Sequence, residues 1–448
     1  STLVTILTAY GYHKRIQVDI GDFLTLILLS ASGMVLLSYA NDLITIFVAI
    51  ELMSIPIYIL VGADRRNPKS VEGSVKYLIL GALSSAFLLL GFVLLYGAFA
   101  IVHDATGTPH STLLTSLAPL GAVAESQAAL PIAILALGLI IISFGFKLGA
   151  VPFHQWVPDV YTGAPTVITA FMSVAVKAAA LGAFVRLLLV CFPAEAEIAG
   201  TDGWTLGSFV FPILITITIA TIVIGNLLAI AQTNFKRMLA YSSIAHTGYL
   251  LMGVIAITTP LRDEAGEIVA HAGGSLGGWE ILFYLLGYTF MNLAAFAILI
   301  LAGRDSRDYE EIADMQGLAR RRPFAGFAML VSMLSLAGIP LTAGFFGKLF
   351  LFQQVVEKGF WWLAVIAVVG SILGAYYYLR VVYTIYIKPI RESVEVGAGE
   401  PAEEFSDYPD RWSIQFGIGV TTAGTIFVGL IFWPFVDLAQ QAVETLTR

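Results

Sequence analysis

Charge is scarce in this sequence. Asp, Glu, Lys and Arg together make up only 12% of its 448 residues, whereas soluble domains carry about 25%. Hydrophobic residues make up 58% of the chain, and the mean hydropathy is +0.85. This composition excludes a soluble enzyme and gives no basic surface for nucleic acid. It predicts a polytopic membrane protein that contacts the lipid bilayer and binds no nucleic acid.

Cysteine is also nearly absent, because Cys191 is the one cysteine in the chain. A single thiol excludes an intramolecular disulfide and any cysteine-rich metal or iron–sulfur site, and we interpret it as a small packing residue. No glycine-rich phosphate loop, CxxC pair or zinc motif is found in the sequence. We therefore expect no nucleotide, haem, flavin or metal site within this chain.

The first residues carry no signal-peptide pattern, since no charged stretch precedes an apolar run and a cleavage site. The opening apolar run, 1–12, is too short to cross about 30 Å of hydrocarbon. We interpret 1–21 as the remnant of a truncated N-terminal helix and the loop that follows it.

Apolar runs of spanning length fill the rest of the chain, and short polar loops separate them. Two of the runs are too long for one helix, because about 33 residues at about 1.5 Å each would measure about 50 Å. Both contain a proline near the middle, Pro152 or Pro340, which predicts discontinuous helices. The eleven predicted spans are 22–40, 42–62, 72–101, 130–162, 165–190, 207–232, 239–258, 279–303, 323–356, 360–387 and 411–441.

Basic residues favour one side of this arrangement. If the loops alternate between two sides of the membrane, one side receives 15 of the 24 Lys and Arg, the other receives three, and six fall inside spans. The positive-inside rule makes the richer side cytoplasmic. The loops predicted to be cytoplasmic are 63–71, 233–238, 304–322 and 388–410.

Four charged residues are predicted to lie deep in the membrane: Glu51, Lys147, Lys177 and Lys348. Each costs at least about 2.5–3.5 kcal/mol at the centre of a bilayer, so such residues usually serve a function. Burial favours the neutral amine of a lysine, and a carboxylate partner favours the ammonium. A lysine between these influences can gain and lose a proton as its partner moves. The alternative is a static ion pair that fixes helix packing.

His246 lies mid-span among hydroxyl-bearing neighbours. They recur at helical spacing and could complete a hydrogen-bonded proton relay. Packing of the imidazole in the core explains the position equally well, and both interpretations stay open. The neighbouring hydroxyls belong to Ser242, Ser243, Thr247 and Tyr249.

Several ionisable residues are predicted nearer the membrane surfaces. Lys76 could extend to the interface or reach inward as a proton-uptake residue. Asp159 could accept protons from water or cap the half-helix, and His154 could serve similarly. For Arg186 and Arg380, near helix ends, we expect the guanidinium groups to extend into the interface.

The two long spans resemble each other, because each holds a lysine beside a proline break. They are five helices apart, so they run in opposite directions through the membrane. Inverted repeats with discontinuous helices are typical of transporters, whose sites lie near the midplane. We predict an all-α polytopic membrane protein with two inverted five-helix, antiporter-like repeats. The parts are 22–190 and 207–387 for the repeats, a polar loop at 388–410, and a C-terminal helix in 411–448.

Four stretches resemble one known family: IELMSIP at 50–56, GFK…PFHQWVPDVYTGAP at 145–165, QTNFKRMLAYSSIAH at 232–246, and LSLAGIP…GK at 334–348. They are similar to the antiporter-like subunit N family of respiratory complex I, which includes mitochondrial subunit 2 and its plastid-type counterpart. The resemblance covers nearly the whole chain. Bacterial members have fourteen helices, which implies that the first two and most of the third are missing here.

The resemblance implies a proton-translocating role without redox chemistry in this chain. It implies that Glu51 pairs with Lys147, that Lys177 connects the two halves, that His246 is the central relay, and that Lys348 is the terminal lysine. The expected enzyme is a proton-translocating NADH:quinone oxidoreductase, of which this chain would be one subunit.

The resemblance also implies partners and a location. Flavin, iron–sulfur clusters and quinone are expected in partner subunits. The neighbours would be membrane-arm subunits of complex I, including another antiporter-like subunit and small helical subunits, in a bacterial inner (plasma) membrane. Two alternatives remain: a subunit of a multisubunit cation/proton antiporter, and a structural spacer that only seals the membrane arm.

Overall fold

The computed structural model describes residues 1–107, 111–114, 123, 126–192, 206–259, 278–303, 310–389 and 411–446. The predicted polar loop beyond residue 389 and most of the loop 102–129 lie outside these residues. The described elements are helices, apart from two isolated bridges. The helices are α1 (Thr2–Ile16), α2 (Ile20–Tyr39), α3 (Leu43–Val61), α4 (Pro68–Thr106), α5 (Ala129–Leu148), α6 (Trp156–Gly163), α7 (Thr166–Phe171), α8 (Lys177–Cys191), α9 (Gly207–Ile230), α10 (Phe235–Thr258), α11 (Trp279–Ala302), α12 (Leu318–Arg321), α13 (Pro323–Ala337), α14 (Ala343–Glu357), α15 (Trp361–Tyr386), α16 (Arg411–Leu430) and α17 (Trp433–Leu446).

Ten helical segments in the described residues are long and apolar enough to cross a membrane. One of them, Thr166–Cys191, joins α7 and α8 through a π-helical turn at Met172–Val176. In a bilayer, helices satisfy all backbone polar groups internally, which is why apolar runs fold this way. The predicted all-α polytopic class is confirmed.

Both long spans are broken, as predicted. α5 ends at Leu148, and Gly149 follows with a φ of 72°. α13 ends at Ala337, and Gly338 follows with a φ of 83°. Glycine adopts this left-handed conformation without the steric cost that a side chain brings, so it ends each half-helix at a defined residue. At both breaks, backbone carbonyls inside the protein have no hydrogen-bond partner within their own helix and can bind side chains from other helices.

The prediction of one C-terminal helix over 411–441 is wrong. α16 ends at Leu430, and a separate helix, α17, begins at Trp433. Pro434 explains the new start, because proline lacks an N–H and fits the first turn of a helix. α17 buries Val436, Ala439 and Val443, which lie on one of its faces.

α10 is the central helix of the molecule. Of its span, 94% is buried inside the protein, compared with 39% for α9 and 39% for α15. It packs against α6, α9, α11 and α14. A helix shielded from lipid on every side can carry polar residues at low cost, since they face protein rather than hydrocarbon.

The same packing pattern occurs twice along the chain. α4 packs against both halves of the first broken helix, and α11 packs against both halves of the second. Likewise α2 packs against α3 and α8, and α9 packs against α10 and α15. Two five-helix repeats would produce this recurrence. The boundaries of the repeats and their inverted orientation remain predictions.

The two arginines predicted to extend into the interface bind backbone carbonyls at helix ends. Arg186 of α8 donates to Ala40 O and Ser38 O, both at 2.7 Å, at the end of α2. Arg380 of α15 donates to Ile230 O at 2.9 Å and Gln232 O at 2.5 Å, at the end of α9. Each guanidinium therefore caps a helix C-terminus, where unpaired carbonyls carry partial negative charge.

Replacing Arg186 by methionine should destabilise the protein by about 1–2 kcal/mol, because two charged hydrogen bonds at a partly exposed site are lost. The melting temperature of the detergent-solubilised chain measures this effect. Arg66→Met, at an exposed loop residue, is the matched control and should leave the melting temperature unchanged. Equal melting temperatures for the two variants would show that the cap at α2 adds no stability.

Candidate functional site

Lys147 lies in the last turn of α5, directly before the first break, and it is 2% exposed. Its ammonium donates to Ser54 Oγ at 2.7 Å and to Tyr58 OH at 3.3 Å, both on α3. Across the break, Trp156 donates from Nε1 to Phe146 O at 3.0 Å. The indole thus holds the two half-helices together beside the lysine.

Glu51 lies one turn before Ser54 on α3 and accepts a hydrogen bond from the Ser85 hydroxyl of α4. Among the described residues, no carboxylate oxygen comes within 4 Å of the Lys147 ammonium, so Glu51 and Lys147 form no direct ion pair. Glu51 and Ser54 are three residues apart on one face of α3, and the Ser54 hydroxyl donates to Ile50 O at 2.6 Å. The predicted Glu51–Lys147 pairing stays a prediction.

Lys177 is the first residue after the π-helical turn of the fifth span, and such turns occur often at functional sites. Its ammonium donates to Ser243 O and Ser243 Oγ, both at 2.6 Å, and to Thr247 Oγ1 at 2.9 Å. Thr247 in turn donates to Leu148 O at 2.8 Å. One hydroxyl of α10 therefore joins Lys177 to the first break.

His246 is buried on α10, and both of its ring nitrogens meet tyrosine hydroxyls. Nδ1 contacts Tyr284 OH of α11, and Nε2 lies 3.0 Å from Tyr378 OH of α15. The Tyr378 hydroxyl also contacts the hydroxyl of Ser242. A neutral imidazole donates at one nitrogen and accepts at the other, so this geometry suits a relay. Ring contact with Tyr288, at 4.9 Å between centroids, serves packing as well.

Lys348 lies on α14, just beyond the second break. Its ammonium donates to Leu336 O at 3.0 Å, Ala337 O at 3.2 Å and Ser371 Oγ at 2.8 Å. The two carbonyls end α13, so the ammonium sits at the negative end of that half-helix. Gly338 permits this approach, because a Cβ there would lie 3.1 Å from the lysine side chain.

Tyr249 connects the surroundings of His246 with those of Lys348. The Lys348 ammonium lies 5.1 Å from the centre of the Tyr249 ring. The same ring meets the His246 imidazole edge to face, with centroids 5.7 Å apart. Its hydroxyl accepts a hydrogen bond from Asn226 Nδ2 at 3.2 Å. Three ionisable side chains therefore meet α10 within two of its turns: its own His246, Lys177 from α8 and Lys348 from α14.

Asp159 of α6 and Lys76 of α4 come together near the start of α10. Asp159 receives hydrogen bonds from Lys76 Nζ and Arg237 Nη1, both at 2.9 Å. Burial alone would raise the pKa of the Asp159 carboxyl, but hydrogen bonds from these two cations hold it below its usual value. Lys76 also pairs with Glu72 at 2.6 Å. The side chains of Asp159, Lys76 and Arg237 are 37–42% exposed.

His154 lies in the first break and does not join this cluster. Its Nδ1 is buried without a hydrogen-bond partner among the described residues.

Several contact residues were missed by sequence reasoning. Tyr284, Tyr378 and Ser371 lie on helices far along the chain from His246 and Lys348. A usable signal was present, because Tyr284 and Tyr288 repeat at helical spacing and 376–378 is a run of three tyrosines inside an apolar span. In the described ranges, no three His, Cys, Asp or Glu side chains come together as ligands of a metal would.

Comparison with known proteins places this arrangement in one family. Residues 40–374 match the profile of the family described as NADH:quinone oxidoreductase/Mrp antiporter, TM. NADH-quinone oxidoreductase subunit N of Trichlorobacter lovleyi is 40% identical over 443 residues, which cover 99% of this chain and 81% of that protein. The subunit N of Myxococcus xanthus is 41% identical over 450 residues, with 97% and 80% covered.

Solved structures of related membrane complexes also resemble this chain. A chain of respiratory complex I from Thermus thermophilus superimposes with a TM-score of 0.70 at 32% identity, covering 97% of this chain and 84% of that chain. A chain of the Mrp complex from Dietzia superimposes with a TM-score of 0.74, but at 21% identity it supports the fold alone. The resemblance seen in the sequence is confirmed: this chain belongs to the NADH:quinone oxidoreductase/Mrp antiporter transmembrane family, with subunit N of NADH-quinone oxidoreductase among its relatives.

Proposed function

We propose that this chain is a proton-translocating membrane-arm subunit of an NADH:quinone oxidoreductase. The names of its relatives agree with this function, which was predicted from the sequence. The observation that carries the proposal is the set of buried lysines, because Lys147, Lys177 and Lys348 have no carboxylate within 4 Å among the described residues. An uncompensated buried ammonium is costly, so each can give up its proton when its surroundings change.

The proposed route crosses the protein along α10. Protons enter near Asp159 and Lys76, and the negative charge of Glu51 favours the protonated form of Lys147. Protons then pass from Lys147 to Lys177 by way of Thr247. From Lys177 they continue through His246 to Lys348. The energy comes from quinone reduction in partner subunits, which hold the flavin, the iron–sulfur clusters and the quinone site.

We further propose that the Asp159 end of the route faces the bacterial cytoplasm. The predicted bias of Lys and Arg toward the loops on this side supports the assignment. Other membrane-arm subunits, including a neighbouring antiporter-like subunit and small helical subunits, would then contact the apolar outer faces of the bundle. The repeats at 22–190 and 207–387 would each supply one half-channel.

Replacing Lys147 by methionine tests the proposal in the assembled complex reconstituted into liposomes. We expect proton pumping per quinone reduced to fall about fivefold, because proton transfer through a positioned side chain is lost. Arg66→Met provides a control that should pump normally. Unchanged pumping in the Lys147 variant, with the complex intact, would support the structural-spacer alternative instead.

The antiporter alternative has a separate test, because the description of the matching family also names Mrp antiporters. Affinity purification of the tagged chain from its native membrane should bring down flavin and iron–sulfur subunits. Their absence, together with cation-dependent proton exchange in vesicles, would assign the chain to an antiporter.

A further inference from the structure

We propose that Gln354 holds water inside the protein, and that this water site connects Lys348 to a charged cluster around Glu280 and Lys358. The inference rests on the proposed function, because it gives protons on Lys348 a way out of the membrane.

The amide of Gln354 is the first observation. The residue is 5% exposed, and neither Nε2 nor Oε1 has a hydrogen-bond partner among the described residues. Leaving a buried polar group unpaired costs about 1–3 kcal/mol. Buried water commonly pairs such groups, because each molecule makes about three hydrogen bonds. An amide with a free donor and a free acceptor is therefore suited to hold water.

The position of Gln354 gives this water a direction. Lys348 and Gln354 are both buried on α14, and Lys358 follows the last residue of that helix. At about 1.5 Å per residue, Gln354 is about 9 Å beyond Lys348 and about 6 Å before Lys358. The amide thus stands between the terminal lysine and the end of the helix.

The end of α14 carries the charged cluster. Lys358 donates from Nζ to Thr259 O at 2.8 Å, and Glu280 accepts from Gly278 N at 2.8 Å. Glu280 is 8% exposed and within electrostatic range of both Lys358 and Glu357. A nearly buried carboxylate beside an ammonium can exchange protons with water at the membrane surface.

This cluster lies at the opposite face of the membrane from Asp159. Both clusters touch α10, Asp159 through Arg237 in its first turn and Lys358 through Thr259 just after its last. The 22 residues between Arg237 and Thr259 span about 33 Å, the thickness of the hydrocarbon core. A proton that reaches the Glu280–Lys358 cluster has therefore crossed the membrane.

An apolar layer separates Lys348 from Gln354. A Cβ on Gly253 of α10 would lie 2.7 Å from Ile281 and 2.8 Å from Leu351, so these side chains fill the space beside the glycine. Leu351 lies between Lys348 and Gln354 on α14. Water reaches the lysine when these two side chains move apart, so the layer acts as a gate between the charge and the water site.

Thiol labelling tests for water at Gln354 without relying on pumping. The single native cysteine, Cys191, is fully buried. In the assembled complex, Gln354→Cys should react with a small, membrane-impermeant thiol reagent added from the face opposite Asp159. Its neighbour Val355, which is buried and apolar, gives the control Val355→Cys, expected to react at least about tenfold more slowly because a thiolate requires solvation. Mass spectrometry of this chain reads the modification.

Pumping measurements then test the role of the site. Gln354→Leu and Glu280→Gln should each lower protons pumped per quinone reduced by about threefold or more, and Gln354→Asn should restore part of the loss. Gln353→Leu, at the exposed neighbour, should pump normally. Equal labelling of the two cysteine variants, or full pumping by Gln354→Leu, would overturn the inference. Full pumping by Lys348→Met would instead overturn the proposed function.

Discussion

Lys177→Met should lower proton pumping per quinone reduced by about tenfold or more, the largest functional loss expected from a single substitution here. Lys177 joins the two halves of the route, because its ammonium contacts Ser243 and Thr247, and Thr247 contacts Leu148 O of the first break. Methionine matches the length of the side chain but carries no proton. The route is then interrupted between Lys147 and His246.

The same substitution should leave the melting temperature unchanged or raise it. A buried charge without a counter-ion opposes folding, and apolar replacements of buried charges are often neutral or stabilising. The Thr247 hydroxyl keeps a partner of its own, because it donates to Leu148 O. Loss of function with retained stability would mark Lys177 as a residue that serves transport rather than folding.

Lys69→Met is the matched control, since Lys69 is an exposed lysine whose ion pair with Glu310 lies at the surface. It should pump at the normal rate, because exposed pairs contribute about 1 kcal/mol or less. Proton pumping is measured by the quenching of a pH-sensitive dye in liposomes, and quinone reduction is followed in the same sample. Normal pumping by Lys177→Met would show that the two halves of the route are joined elsewhere.

The spans and their breaks were predictable because they depend on local chemistry. A run of about 33 apolar residues exceeds the membrane, and Pro152 or Pro340 locates the interruption within a few residues. The end of α16 was missed although Pro434 gives the same kind of signal. The stretch 411–441 has 31 residues, nearly as many as the two broken spans, so length and proline together indicated a break that the prediction did not include.

The buried charges were predictable for a similar reason, but their partners were not. A lysine in an apolar span is conspicuous in the sequence, whereas the groups that bind Lys147 and Lys177 lie 66 to 93 residues away. The expected partner of Lys147 was the carboxylate of Glu51, and the nearest groups are the hydroxyls of Ser54 and Tyr58. Hydroxyls are common in apolar spans, so no sequence pattern selects these two.

The arginine caps are tertiary contacts that the sequence did not indicate. Arg186 and Arg380 were expected to extend into the interface because they lie near helix ends, and that expectation remains a prediction. Each arginine caps the C-terminus of a neighbouring helix. Arg186 lies nine residues after Lys177, and Arg380 lies nine residues after Ser371. The equal spacing supports the proposed repeats, because each cap fixes the helix that carries a polar residue of the route.

Gly344→Ala should prevent the second break from folding correctly. Gly344 is the second residue of α14, and a Cβ there would lie 1.9 Å from Ser335 O in the last turn of α13. Real contacts of this kind lie beyond 3.0 Å, so the two half-helices must separate by about 1 Å. We expect a loss of about 3 kcal/mol or more, since the obstacle is backbone in a tightly packed core.

The damage should reach Lys348, one turn further along α14. Its ammonium holds Leu336 O and Ala337 O at the end of α13, and these contacts lengthen as the half-helices separate. Thermal unfolding and the amount of assembled complex both measure the effect. Gly182→Ala is the control, because a Cβ there meets nothing within 4 Å and alanine favours the helix by about 0.5–1 kcal/mol. If both alanine variants assembled and melted alike, the close approach of α13 and α14 would not be what holds Lys348 in place.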